Sequence, residues 1–272
     1  MPYAAGMIRK IGIHLFIWGL AFGASGACAG SRDLPLQVAA ATRAVADVGQ
    51  VHHARLLAAA PDVAPHVLAL ALRAGACAVR SGVVPKLSKL AVIDYSRPST
   101  ERRLWVFDLT SDELMFDEHV AHGRATGDNM ARDFSNTEGS LQSSLGLFLT
   151  DDTYVGGNGY SLNLDGLEPG VNDRARERRI VMHGAAYVDP VSALRQGRLG
   201  RSHGCPALRS AVAARVIDTL KDGQLLFAFY PDQNWLTSSQ FLHCDDPVPV
   251  TGTAAATLTR AQLFPQVIAQ TR

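Results

Sequence analysis

The chain has 272 residues, of which 47% are hydrophobic and 19% are charged, so it has enough apolar material for one sizeable core. The formal net charge is +1 at pH 7, and charge therefore gives no reason to expect a nucleic acid partner.

The first thirty residues have the pattern of an export signal. Arg9 and Lys10 form a basic start, Ile11–Ala24 is an apolar stretch, and Ala27–Ala29 is an A-x-A cleavage site. We predict a signal peptide over residues 1–29 and a periplasmic mature protein.

Two other interpretations of this segment stay open. Left uncleaved, residues 11–29 are just long enough to anchor the chain at a membrane, although His14 weakens that interpretation. Ser25–Cys28 resembles a lipoprotein cleavage site but lacks the usual leucine three positions before the cysteine.

Apolar residues at helical spacing predict helices within Leu34–Gly49 and Val63–Ser81, packed onto the remainder of the chain. From Leu90 onward, short apolar runs bounded by Gly, Asn and Asp predict strands. These are Leu90–Tyr95, Arg103–Leu109, Glu113–Phe116, Val120–Gly123, Ser144–Leu149, Tyr160–Leu164, Arg179–His183 and Gln224–Tyr230. One more helix is predicted over Ser210–Leu220. The pattern predicts a mainly β domain or barrel with flanking helices, of the α+β class.

Three cysteines remain after removal of the signal peptide, and an odd number in an oxidising compartment leaves one thiol unpaired. The simplest assignment is a free Cys205 and a disulfide between Cys77 and Cys244.

Cys205 has the surroundings that a nucleophile needs. It follows Gly204 in a short loop, and His183 ends an apolar strand from which its ring can reach that loop. A histidine can deprotonate a thiol, and backbone N–H groups beside glycine can hold an oxyanion. His203 could orient substrate, donate to the oxyanion or pack structurally. These residues predict acyl transfer through a cysteine thioester.

A metal site is the competing interpretation, since His122, His183, His203 and Cys205 are all ligand types. Their spacing matches no zinc pattern, and no C-x-x-C or H-E-x-x-H accompanies it. We therefore expect neither a metal nor another cofactor. Arginines recur near the cysteine loop, between Arg174 and Arg201, and such a cluster suits a substrate carrying carboxylates.

The sequence resembles the L,D-transpeptidase superfamily with a YkuD-type catalytic domain, and within it the murein L,D-transpeptidase-like branch. The resemblance covers roughly Leu90 to Tyr230. Its motifs are Asp94–Ser96 with Ser99–Leu104, Val120–Gly123, Phe134–Thr137, Ser143–Gly146, Gly159–Leu162, Gly166–Gly170 with Asn172–Asp173, and Gly200–Ala207.

The resemblance implies a YkuD-like β-sandwich or barrel at residues 86–235, preceded by a small helical region at 30–85 and followed by a tail at 236–272. It implies that Cys205 is the nucleophile, that His183 is the general base steadied by Gly184, and that His203 and Gly204 shape an oxyanion pocket with the Cys205 N–H. We also expect five residues to contact substrate: Arg201, Ser202, Arg209, His122 and Tyr160.

The implied function is peptidoglycan cross-linking between donor and acceptor peptide stems, with carbapenems as inhibitors. Ala207 stands where the superfamily usually has Arg or Asn, which leaves the type of acceptor open. Two alternatives remain: a thiol hydrolase on peptidoglycan (an L,D-carboxypeptidase or a lipoprotein-detaching amidase) and a non-catalytic peptidoglycan-binding module.

Overall fold

A computed structural model describes residues 51–244, which all belong to one compact unit. The predicted signal peptide, the predicted helix within Leu34–Gly49 and most of the tail lie outside these residues. No helix within 51–244 is long and apolar enough to cross a membrane.

Within the described part, five helices and nine strands form an α+β fold, as the sequence predicts. The helices are α1 (51–59), α2 (Pro65–Arg80), α3 (Pro190–Gln196), α4 (Ser210–Leu220) and α5 (Gln233–Ser238). The strands are β1 (Lys89–Asp94), β2 (Leu104–Asp108), β3 (Glu113–Glu118), β4 (Val120–Ala121), β5 (Gly146–Gly156), β6 (Gly159–Gly166), β7 (Val181–Ala185), β8 (Ala207–Arg209) and β9 (Leu225–Phe229).

All nine strands belong to one sheet in the order β3-β2-β1-β9-β5-β6-β7-β8-β4. The two outermost strands are consecutive in the chain, because β3 ends at Glu118 and β4 begins at Val120. Arg209 on β8 also forms a bidentate ion pair with Glu118 on β3, with N···O distances of 2.6 and 2.8 Å. The sheet therefore curls into a nearly closed barrel, which confirms the predicted fold class.

Helix α2 shares the hydrophobic core of the barrel. Its buried residues recur every three or four positions, the spacing of one helix face, and Pro65 at its start has the φ angle that a first helical turn requires. Its buried side chains belong to the same cluster as the fully buried strands β1 and β9. That core crosses both proposed domain boundaries, since it also includes Trp235, Phe241 and Leu242.

A disulfide joins Cys77 in α2 to Cys244, with a Cα–Cα distance of 5.8 Å. This confirms the predicted pairing. Cys205 is the free cysteine among the described residues. The disulfide fastens the segment after α5 to the helix that packs on the sheet.

Candidate active site

The loop before β8 holds Cys205 in a tight turn. The Ser202 hydroxyl donates to the Cys205 carbonyl oxygen at 2.6 Å and accepts the Gly204 N–H at 3.0 Å. Gly204 has φ +130°, and a Cβ at this position would lie 2.8 Å from the Gln142 carbonyl oxygen. Only glycine fits this turn without displacing its neighbours.

The Cys205 thiol lies against the start of β7. The residue is 7% exposed, and its Sγ accepts the Val181 N–H at 3.5 Å and donates to the Arg179 carbonyl oxygen at 3.6 Å. Burial raises the pKa of the thiol, while the Val181 N–H and the charge of Arg178 oppose that shift. The sulfur is therefore an uncharged thiol at neutral pH.

His183 lies on the strand adjacent to the cysteine loop. Strands β7 and β8 are parallel, and their register places His183 opposite Ala207, two residues after Cys205. Its Nδ1 lies 3.0 Å from the Gly184 carbonyl oxygen, which only accepts, so Nδ1 carries the proton and Nε2 is the basic nitrogen. Burial lowers the pKa of His183 below 6.5 and keeps the ring neutral at pH 7.

Gly184 serves this arrangement in two ways. Its carbonyl group fixes the imidazole tautomer, as the resemblance implied, and its lack of a side chain lets helix α4 approach. A Cβ on Gly184 would lie 2.9 Å from the Ala213 Cβ. The histidine strand and the helix that follows the cysteine loop are thereby packed together.

A family model described as the L,D-transpeptidase catalytic domain matches residues 59–229. The chain belongs to this family. The match begins before helix α2 and ends at the last residue of β9, so it covers the barrel and both residues of the predicted Cys205–His183 pair. No curated protein matches the sequence significantly.

Several solved L,D-transpeptidase structures resemble this family member at low identity. The enzyme from Mycobacterium smegmatis is 15% identical over 53% of this chain and 59% of its own, with a TM-score of 0.32. The enzyme from Stackebrandtia nassauensis is 15% identical over 61% and 67%, with a TM-score of 0.33. LdtMt1 in complex with imipenem is 15% identical over 52% and 59%, with a TM-score of 0.32. The chain thus spans less than two thirds of the length of LdtMt1 and of the M. smegmatis enzyme.

The expected substrate residues of this L,D-transpeptidase domain are spread over several environments. Arg201 and Ser202 lie four and three residues before Cys205, and Arg201 donates to the Gly127 carbonyl at 2.9 Å and to Asp128 at 2.8 Å. His203 is exposed beside the loop. The structure thus brings Arg201, Ser202 and His203 next to Cys205.

The other three residues expected to contact substrate make contacts within the protein. His122 was expected to line the cleft, but it is 0% exposed and its Nδ1 accepts from buried Arg103 at 2.8 Å. Arg209 on β8 forms an ion pair with Glu118 on β3, where the two ends of the sheet meet. Tyr160 donates to Asp218 at 2.8 Å.

The predicted oxyanion pocket is also changed in one detail. The Gly204 N–H is already bound by the Ser202 hydroxyl, so it does not point at a substrate carbonyl. The Cys205 N–H lies beside its own sulfur, where it helps to lower the pKa of the thiol. The Cys205 N–H therefore stays the predicted oxyanion donor.

Three arginines of the cluster near the cysteine loop make contacts within the protein. Arg174 pairs with Glu177, and Arg176 binds Asp165, with Nε–Oδ1 at 2.7 Å, as well as Asp151. Arg178 is half-buried and faces inward. Within residues 51–244, no group of three or more His, Cys, Asp or Glu side chains could hold a metal ion.

Two neighbours of the thiol were not predicted from the sequence. Ser143 donates to the Gly204 carbonyl at 2.9 Å and accepts the Gly123 N–H at 3.0 Å, which ties two segments to the cysteine loop. Burial, and secondarily the charge that Cys205 carries as a thiolate, raises the pKa of Tyr187 to about 12. Ser143 lies in the family motif Ser143–Gly146, whereas Tyr187 carried no sequence signal.

Proposed function

We propose that this chain is a peptidoglycan L,D-transpeptidase that acts through a thioester on Cys205. The observation that supports the proposal is the β7–β8 register, which pairs His183 with Ala207, two residues after Cys205, in an L,D-transpeptidase catalytic domain. In the proposed reaction, His183 Nε2 removes the Cys205 proton and the sulfur attacks a stem-peptide carbonyl.

Atoms balance in two steps. The C–N bond to the terminal D-amino acid breaks as the C–S bond forms, and the leaving amine takes the proton from His183. An amine of a neighbouring stem then attacks the thioester, releases the thiol and forms the cross-link. Cys205 is 7% and His183 4% exposed, so both groups are largely shielded from bulk solvent before substrate binds.

The first test is covalent capture of the thiol. We expect the purified protein to gain the mass of one carbapenem molecule and the Cys205→Ala variant to gain none. His183→Gln should slow this acylation by about a hundredfold, as loss of a general base does. His119→Gln is the matched control, because the His119 ring bonds to the Thr100 carbonyl oxygen, away from the thiol.

The second test separates transfer from hydrolysis. The protein is incubated with purified stem peptides with and without an acceptor stem, and the products are identified by mass spectrometry. Cross-linked dimers that require Cys205 support the proposal. Release of the D-amino acid without dimers would make the protein a carboxypeptidase, and full cross-linking by Cys205→Ala would refute the nucleophile.

We also propose that the mature protein acts outside the cytoplasm. The Cys77–Cys244 disulfide supports export, because such bonds persist in oxidising compartments. Fusing residues 1–29 to a reporter enzyme that folds only in the periplasm tests this: activity is expected, and a reporter retained in the cytoplasm would contradict export.

A further inference from the structure

Four hydrogen bonds hold the guanidinium of Arg178 against residues 135–144. Nη1 donates to the Ser135 carbonyl and to the Ser144 hydroxyl, both at 2.6 Å. Nη2 donates to the Ser140 hydroxyl at 3.1 Å and to the Gln142 carbonyl at 2.7 Å. All four acceptors belong to residues 135–144, so Arg178 joins that segment to the loop before β7.

This segment contacts the cysteine loop directly. The Gln142 carbonyl oxygen approaches Gly204 so closely that a Cβ there would lie 2.8 Å away, and the Ser143 hydroxyl donates to the Gly204 carbonyl. Arg178 therefore braces the turn that presents Cys205, although it does not belong to that turn.

The loop that carries Arg178 also surrounds the sulfur. The next residue, Arg179, accepts the thiol proton through its carbonyl group, and Val181 donates its N–H to Sγ. The third donor of Arg178, Nε, is buried and has no partner within the described chain. An unpaired buried N–H is costly unless a negative charge develops nearby.

Three titratable groups around the site, Tyr95, Tyr187 and His183, carry no charge at neutral pH. Burial raises the pKa of Tyr95 and of Tyr187 to about 12, and burial lowers the pKa of His183. Arg178 is the cation whose charge acts on Cys205 within the described residues.

We propose that Arg178 is a positioning residue of the site, whose fixed charge stabilises the Cys205 thiolate while its hydrogen bonds hold residues 135–144 against the cysteine loop. The proposal rests on the proposed role of Cys205 as the nucleophile. The test measures only the reactivity of the Cys205 thiol, so its result can be interpreted even if the protein does not cross-link peptidoglycan.

The experiment follows alkylation of Cys205 by iodoacetamide in the full chain, with the disulfide intact, across a range of pH. Mass spectrometry of the Cys205 peptide gives a rate constant at each pH and the midpoint of its rise. In Arg178→Gln the midpoint should move up by about one pH unit, which lowers the rate at neutral pH by about tenfold. Arg178→Lys keeps the charge but cannot make all four hydrogen bonds, so its thermal midpoint should fall while its pH midpoint stays within about 0.5 unit of the parent.

Two controls separate charge from packing. Arg174→Gln removes the same charge from the same loop, but Arg174 pairs with Glu177 and does not act on Cys205, so the midpoint should not move. Ser140→Ala removes one hydrogen bond to Arg178 and no charge, so it should lower the thermal midpoint and leave the pH midpoint unchanged.

Two results would overturn the proposal. In one, Arg178→Gln loses thermal stability but keeps the parent's pH midpoint, which would make Arg178 purely structural. In the other, Arg178→Lys shows a midpoint raised by a full unit despite its retained charge. The second result decides the question even if Arg178→Gln does not fold.

Discussion

Acidification should destabilise this protein through His122, a histidine that the fold buries in its neutral form. Arg103 donates to His122 Nδ1 at 2.8 Å, so this nitrogen must stay unprotonated, and Nε2 lies 3.3 Å from the Gly127 carbonyl oxygen. Burial and the positive charge of Arg103 lower the pKa of His122 from 6.5 to about 4. A second proton would place two cations side by side in the core.

The size of the effect follows from this pKa difference. Between pH 6.5 and about pH 4 the unfolded chain binds a proton at His122 and the folded chain does not, so stability is lost as the pH falls. At about pH 4.5 the loss reaches roughly 2 kcal/mol relative to neutral pH. Carboxylates also titrate in this range, and a variant is therefore needed to isolate the histidine.

Urea unfolding followed by tryptophan fluorescence at both pH values measures the difference. His122→Gln should be less stable than the parent at neutral pH but should lose about 2 kcal/mol less on acidification. His66→Gln, which alters an exposed histidine, should keep the full pH dependence of the parent. Equal acid losses in His122→Gln and the parent would refute the reasoning.

Three further perturbations test the contacts that hold the fold and the cysteine loop in place. Reduction of the Cys77–Cys244 disulfide, which spans 167 residues of sequence, should lower the free energy of unfolding by about 5 kcal/mol on the chain-entropy account. Urea titration with and without reductant measures this, and a loss below about 1 kcal/mol would contradict that account. Gly204→Ala should slow carbapenem acylation at least about tenfold, because a Cβ would force the turn to shift; an unchanged acylation rate in stopped-flow would show that the turn tolerates it. Glu168→Leu removes the acceptor of the Trp235 indole N–H and of one backbone N–H, and should cost about 4 kcal/mol in urea unfolding. A cost below about 1 kcal/mol would mean that both donors find other partners.

Much of the sheet was predictable because burial and hydrophobic pattern coincide. The apolar run Leu90–Tyr95 predicts a strand, and β1 covers most of it, pairing with β2 on one side and β9 on the other. The predicted helix Ser210–Leu220 coincides with α4. In both cases local sequence and tertiary packing favour the same structure.

Other elements depend on pairing that local sequence does not encode. Strand β8 has three residues and exists because β7 and β4 lie on either side of it. Helix α3 was missed although it carried a signal: Asp189 caps it, Pro190 begins it, and Gly197 ends it in the left-handed conformation. Helix α3 is short and mixed in composition, so it shows no apolar periodicity from which a helix could be predicted.

The residues of the candidate site also differ in how far the sequence could predict their placement. The pairing of Cys205 with His183 stays a prediction, which the strand register supports because it places His183 opposite Ala207. The placement of His122 was not predictable, because Arg103 is fully buried and satisfies its donors on a histidine ring and on carbonyl groups of distant segments. A buried cation leaves no trace in composition or periodicity.

Before substrate binds, Cys205 is a neutral thiol and His183 a neutral imidazole, and this bears on how the proposed reaction starts. The ordinary pKa values of the two groups are 9.0 and 6.5, and burial moves the thiol upward and the imidazole downward. Proton transfer from Cys205 to His183 therefore costs at least about 3 kcal/mol before any substrate is bound. The Val181 N–H already donates to the sulfur and the fixed charge of Arg178 acts on it, so both reduce that cost without reorganisation. In such a site the Cys205 thiol stays protonated until a bound substrate excludes the remaining water. Detection of a free Cys205 thiolate at neutral pH would contradict this account.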